Sequence, residues 1–390
     1  MDAEPRRVRG WAPSVAVTVV WAAVVIAGGL GSRVIGHWES AVTMLGGSFL
    51  AGSSPEGGGA VAFPVFTKAL QVPAPVARSF GLSIQAVGMS MATVAILLAR
   101  RPFHRRAVVV GTGAAVPAFL LALVVAGRPD ALWWPSAVPG AWVKATFSIV
   151  LATTSVLMVR HLRHGADDHR PLVWNRRFDL VVIIAGAMGG VLASMTGTGA
   201  NITLFLALVV VADVAPKRAL PSAIMVMAAV SVVGLVVLGL VDGQLDVTVA
   251  ADQVIAVGGR PVALDASRTD LFGLWLAAVP VVAWGAPLGS LAASVVDERL
   301  LVRFIALLAA VEVVSTFVLV PELRTEPALI AYLAVGLVAV PVALIVLRRH
   351  RHRVFGARFA PSDDGGPAGV AAAADGPAAG GDVSPGARPG

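Results

Sequence analysis

The chain has 390 residues, 57% hydrophobic and only 14% charged, with a mean hydropathy of +0.82. A soluble protein is about one quarter charged, so this composition excludes an ordinary soluble domain and points to a chain lying mostly in lipid. The formal charge of +7 sits in short Arg clusters between apolar runs, which argues against a nucleic-acid partner, and zero cysteines exclude disulfides, thiolate metal sites and a cysteine nucleophile.

In chain order, Arg6, Arg7 and Arg9 precede an apolar run over 12–30. It is too long for a signal-peptide core and no small-residue cleavage pattern follows, so it reads as a retained first span. Stretches suited to spans of about 20 apolar residues follow at 79–99, 107–126, 142–159, 219–240, 271–294, 303–320 and 328–347. Two further runs, 41–70 and 179–212, are apolar but interrupted by Gly, Pro and polar residues. Beyond 360 the Gly/Ala/Pro-rich tail predicts no core.

Lys and Arg mark cytoplasmic loops. The clusters RRPFHRR (100–106), RHLRHGADDHRPLVWNRR (160–177) and RRHRHRVFGAR (348–358) belong inside, with the N-terminus. The loop 241–270 carries Asp242, Asp246, Asp252, Asp265 and Asp270 and belongs outside. Following sidedness along the chain puts 40 and 78 on one face, and 178 and 213–218 on the other. Runs 41–70 and 179–212 therefore enter and return. Each is too short for two crossings and predicts a re-entrant hairpin of two half-length helices turning near the midplane.

The two hairpins align at an offset of 142: Gly47 on Gly189, Glu56 on Thr198, Gly57 on Gly199, Gly58 on Ala200, Gly59 on Asn201, Phe63 on Phe205. Three spans follow each. This predicts an all-α polytopic membrane protein built as an inverted repeat, each half a broken hairpin followed by three transmembrane helices, with an extra span at either end. Gly/Pro-interrupted segments at matching places in two halves point to a transporter site. The segments are 1–40, the first repeat 41–160, a cytoplasmic linker 161–178, the second repeat 179–320, a final span 321–347, and the tail 348–390.

Half-helices starting near 57–60 and 199–202 would present free N–H groups and positive dipole ends to a small anion. The expected substrate-binding residues are Ser54, Glu56, Gly57, Gly58, Gly59, Thr198, Gly199, Ala200 and Asn201. Gly58→Val is expected to block anion approach to the backbone. Glu56 has two readings: a proton carrier coupled to the anion, or a cap on the half-helix. Gln85 and Glu312 are candidate coupling or cavity-lining residues, with packing between helices as the alternative. Ser83 and Ser222 have the same pair of readings, and Lys144 either snorkels or attracts anions.

GSSPEGGGAVAFPVFTKAL and GGVLASMTGTGANITLFLAL resemble the two glycine-rich signatures of the sulfite exporter TauE/SafE family, the TSUP transporters, over roughly 40–345. The first motif has the glycine triplet 57–59 and Pro64. The second has Gly199-Ala200-Asn201 and Leu206 where the family commonly has a triplet and a proline. The resemblance implies transport of sulfite or organosulfur anions across a bacterial inner membrane, with lipid and a small anion as partners. Proton coupling and homo-oligomerisation stay open. No cofactor is expected. A passive anion channel and a non-transporting scaffold or sensor are the rival readings. An enzyme is not expected, because histidines 37, 104, 161, 164, 169, 350 and 352 all lie in loops or flanks.

Overall fold

The computed structural model describes residues 11–70, 72–126, 140–163, 174, 176–212, 214–241, 255–257, 260–262 and 270–355. The tail beyond 360, the 164–169 part of the histidine-rich linker and most of the acidic loop lie outside them. The helices, in order, are α1 (Ala12–Ala27), α2 (Gly31–Gly36), α3 (Trp38–Ser53) and α4 (Gly59–Pro64, continued as a π-helix Val65–Ala69). Next come α5 (Ala74–Leu98), α6 (Arg105–Ala126), α7 (Gly140–Arg163), α8 (Arg176–Thr196) and α9 (Ala200–Leu206, with a π-helix Ala207–Val211). The remainder are α10 (Pro216–Val236, with a π-helix Val237–Val241), α11 (Leu271–Val295), α12 (Glu298–Leu319) and α13 (Pro327–Phe355). A short antiparallel ribbon pairs Ile255–Val257 with Arg260–Val262, where the sequence suggested only a loop.

Among the described residues, eight helices are long and apolar enough to cross a membrane, so the chain is a multi-pass membrane protein. They are not the eight expected. Gly29, at φ +63°, ends α1 after 16 residues, short of the span expected at 12–30. Conversely, α8 runs unbroken for 21 residues, so the first arm of the second hairpin is long enough to cross by itself. The hairpin arms are thus unequal: 16 residues against six α and five π residues in the first, 21 against seven and five in the second.

The offset of 142 recurs in the backbone. Each second arm ends in a π-turn at the matching position, Val65–Ala69 and Ala207–Val211. The closing bonds match as well: Leu70 N–H to Val65 O with Ala212 N–H to Ala207 O, and Val72 N–H to Phe66 O with Val214 N–H to Leu208 O. Packing follows the same rule with partners exchanged. α3 lies along α11, and α8 lies along α6; α5 meets α10, and α7 meets α12.

Small residues let the exchanged pairs approach closely, as lipid-embedded helices require. A side chain at Gly289 would run into the Phe49 carbonyl of α3, and one at Gly190 into the Ala115 carbonyl of α6. A bidentate Arg–Asp bridge lies at one end of each pair; in the first it runs from α2, just before α3, to α11, and in the second it joins α6 to α8. Arg33 holds Asp270 at the head of α11, and Arg106 of α6 holds Asp179 of α8. The outward faces stay apolar, as lipid contact demands: Val109, Val124, Met188 and Val338 are all exposed.

Candidate functional site

The first turn leaves α3 at Ser53, passes Ser54 in extended conformation and Pro55, and reverses at Gly57, whose φ of +71° favours glycine. The second turn leaves α8 at Thr196 and reverses through Gly197 and Gly199, at φ +78° and +141°. The two turns meet in the core. Thr198 Oγ1 lies 3.4 Å from the Glu56 carbonyl, at the outer limit of a hydrogen bond. A side chain at Gly59 would strike Thr198 Cγ2 at 2.7 Å. One at Gly57 would meet Asn201 Nδ2 at 2.8 Å, Met89 Cε at 3.0 Å and Gln85 Oε1 at 3.3 Å.

The hydrogen-bond network fixes both amides. Asn201 Oδ1 accepts from the Gly199 N–H at 3.2 Å and faces Thr198 Oγ1 at 3.3 Å, so its Nδ2 points to Gly57. Gln85 Nε2 donates to the Gly197 carbonyl at 2.8 Å, so its Oε1 points the same way. Helix α5 thereby stitches the second turn to the first. Glu56 lies beside them, 0% exposed, and neither of its carboxyl oxygens has a hydrogen-bond partner. Asn201 Nδ2, Gln85 Oε1 and Ser53 Oγ are likewise buried and unpartnered. A buried polar atom without a partner costs about 1–3 kcal/mol. Several of them at one junction mark a place where function outweighs stability.

Of the residues expected at the site, the structure brings Glu56, Gly57, Gly59, Thr198, Asn201 and Gln85 together. Four others face elsewhere. Ser54 Oγ turns back onto the Leu50 carbonyl at 3.1 Å. Gly58 faces its own arm, where a side chain would meet Gly47 O at 3.1 Å; Gly57, not Gly58, faces the amides of Asn201 and Gln85. Gly199 is backed by Leu192, and Ala200 by Gly189. Ser83 and Ser222 bond to nearby backbone groups, and Lys144 is half-buried.

Glu312 lies apart from this junction. Lys68 Nζ, on the π-turn of α4, reaches Glu312 Oε1 at 2.7 Å, Thr316 Oγ1 at 2.8 Å and Ser315 Oγ at 2.9 Å. Ser148 of α7 adds a bond to Glu312 Oε1 at 3.1 Å. This cluster pins the second arm of the first hairpin to α7 and α12. At the matching position the second hairpin has Val210.

Met89 and Gly197 are site residues that periodicity could not single out, since both read as ordinary residues of apolar helices. Arg78 is 2% exposed and its carbonyl abuts Gly197; its signal was a cation inside an apolar run. On the loop before α6, burial and then the charge of Arg218 lower the pKa of His104 below the usual imidazole range. Among the described residues, no three His, Asp or Glu side chains are grouped to hold a metal ion.

A family model described as Sulfite exporter TauE/SafE matches residues 40–314, more than half of the chain. The match begins in α3 and ends in α12, so it takes in both turns and leaves out α1, α2 and α13. No curated protein and no solved structure matches the chain.

Proposed function

Because the chain belongs to the sulfite exporter TauE/SafE family, we propose that it is a secondary transporter carrying small sulfur-containing anions, sulfite or sulfonates, through a bacterial inner membrane. Both termini lie in the cytoplasm on this reading. The two halves form an inverted repeat, and access alternates around the two turns. The exchanged pairs α3–α11 and α8–α6 are the bodies that move; Arg106–Asp179 clasps the second, and Arg33–Asp270 ties α11 of the first to α2.

The observation that carries this reading is the contact of the two turns, where the unpartnered Asn201 Nδ2 and Gln85 Oε1 meet at Gly57 and the next residue back, Glu56, has a buried carboxyl with no partner. Asn201 Nδ2 donates to the anion. The first turns of α4 and α9 add N–H groups that have no acceptor one turn back. A proton on Glu56 removes a charge that would repel the anion and makes the carboxyl a donor. Release of that proton restores the repulsion and expels the anion. Proton and anion thus move together, with Glu56 as the coupling group.

Purified protein in proteoliposomes tests this, with radiolabelled sulfite and sulfate, a chloride control, and a pH gradient present or absent. Saturable uptake of one oxyanion driven by the gradient is expected. Absence of flux for both would sink the inorganic-oxyanion reading and shift the test to larger sulfonates.

A further inference from the structure

Resting on that transport reading, we propose that a second anion site lies beside the paired turns: a capture site for a small oxyanion, formed by Arg101, Lys217 and Ser53. A small recess of about 30 Å³, partly open to solvent, is lined by Ser53 and Pro55 of the first turn, Arg101 of the α5–α6 connection, Phe205 of α9, and Pro216 and Lys217 at the head of α10. It therefore touches both hairpins and opens between the connections that carry the chain's basic residues.

Its charge is one-signed. Lys217 is exposed at the rim. Arg101 is half-buried, and its Nη1 donates to the carbonyl of Ser290 and, at 3.1 Å, to the Ser290 hydroxyl. Those bonds pin the guanidinium to the wall and leave Nε and Nη2 for another acceptor. No Asp or Glu is among the described lining residues. Asp297, next to the lining residue Val296, is occupied as the cap of α12, accepting from the Arg299 N–H at 3.3 Å.

The independent sign of a ligand is Ser53. It lines this cavity, is 1% exposed, and its hydroxyl has no partner. A buried, unpartnered hydroxyl in the lining of a recess that also holds two cations is a donor awaiting an acceptor. Ser53 also stands three positions before Glu56, so an anion held here is next to the junction of the turns. Cations in a low-dielectric recess concentrate anions and speed their entry. By the charge rule this mouth faces the cytoplasm, so the site loads from that side.

The absence of cysteine makes Lys217→Cys a unique handle. Its thiol can be aminoethylated with 2-bromoethylamine, which rebuilds a lysine-like cation, or carboxymethylated with iodoacetate, which reverses the sign. Sulfite flux is measured from each face in vesicles of fixed orientation. Lys217→Cys should raise the half-saturating sulfite concentration on the Arg101 face about three- to ten-fold, with the maximal rate and the opposite face little changed. Aminoethylation should restore it, and carboxymethylation should raise it further. Ser53→Ala should act in the same direction. Identical half-saturation for the free, aminoethylated and carboxymethylated forms would overturn the capture site while leaving transport intact. If the wild type moves neither sulfite nor sulfate, the inorganic-oxyanion reading of transport fails, and equilibrium binding of radiolabelled sulfite to the same three forms decides. Binding that follows the charge at position 217 supports the site, and charge-independent or absent binding overturns it.

Discussion

The two hairpins share an offset, a π-turn and a glycine reversal, yet they treat their polar atoms in opposite ways. The second turn satisfies its polar atoms apart from Asn201 Nδ2. Thr196 Oγ1 donates to the Thr198 carbonyl at 2.7 Å, Asn201 Oδ1 takes up the Gly199 N–H, and the arm beyond is apolar. The first turn leaves Ser53 and Glu56 without partners, and its second arm carries the Lys68–Glu312 clasp. One hairpin serves as a platform, and the other holds most of the groups suited to chemistry. Contact between the two turns allows this, because a turn braced by its neighbour can carry strain that it would not tolerate alone.

The sharpest way to break that contrast is at the reversing glycines. Gly197→Ala places a methyl 2.5 Å from the Arg78 carbonyl at a left-handed φ. Backbone cannot yield cheaply, so folded protein recovered in detergent should fall steeply, by an equivalent of about 3 kcal/mol or more. Gly57→Ala meets a side-chain amide instead of backbone, at 2.8 Å. It should keep more folded protein and lose sulfite flux. Equal stability losses in the two variants would erase the distinction between platform and site.

Next in size is the clasp. Lys68→Met leaves Glu312 buried without its cation and should lower stability by about 3–5 kcal/mol. Adding Glu312→Leu should recover most of the loss. Val210→Met, the matching change in the second hairpin, overfills a buried site and should cost about 1–3 kcal/mol. Thermal unfolding in detergent reads all three. Failure of the double variant to recover would show that the pair does more than hold the arm.

Glu56→Gln should keep the fold and flatten the pH dependence of flux, since the amide cannot carry the proton. Thr198→Val, its counterpart, should leave the pH profile in place and change only the rate. A normal pH profile in Glu56→Gln would rule out Glu56 as the proton carrier; it does not cap the half-helix either, since neither of its carboxyl oxygens has a partner.

The smallest expected effect compares the two Arg–Asp clasps. Arg33 and Asp270 are mostly buried, whereas Arg106 is exposed. Asp270→Asn should therefore lower the unfolding temperature more than Asp179→Asn, with a loss of about 1 kcal/mol for Asp270. Burial pushes the Asp270 carboxyl up. Its bonds from Arg33 and the Gly273 N–H, with the charges of Arg33 and His37, outweigh that and hold it below the usual carboxylate range. A lowered folded pKa stabilises above the unfolded value and loses that contribution as pH falls through the folded one. The Arg33–Asp270 contribution should thus persist to mildly acidic pH and fade only below the ordinary carboxylate range. A unfolding temperature of Asp270→Asn equal to wild type at neutral pH would show that the pair contributes nothing.

By itself the sequence determined the membrane class, the paired broken hairpins, their offset and the family. These follow from hydropathy, Arg placement and spacing, which are local sums along the chain. It also placed Glu56, Gly57, Thr198 and Asn201 at matching turns, because glycine and polar residues inside an apolar run announce themselves. Helix rotation and crossing were not legible, and they decided the rest. Only the tertiary structure turned Gly58 toward its own arm and Gly57 toward Asn201. It alone carried α8 past half-length, brought Lys68 to a carboxylate 244 positions away, and set Arg101, Lys217 and Ser53 around one cavity. The physical reason is that such contacts depend on how closely small residues let helices approach, a property of pairs of helices that no single stretch encodes.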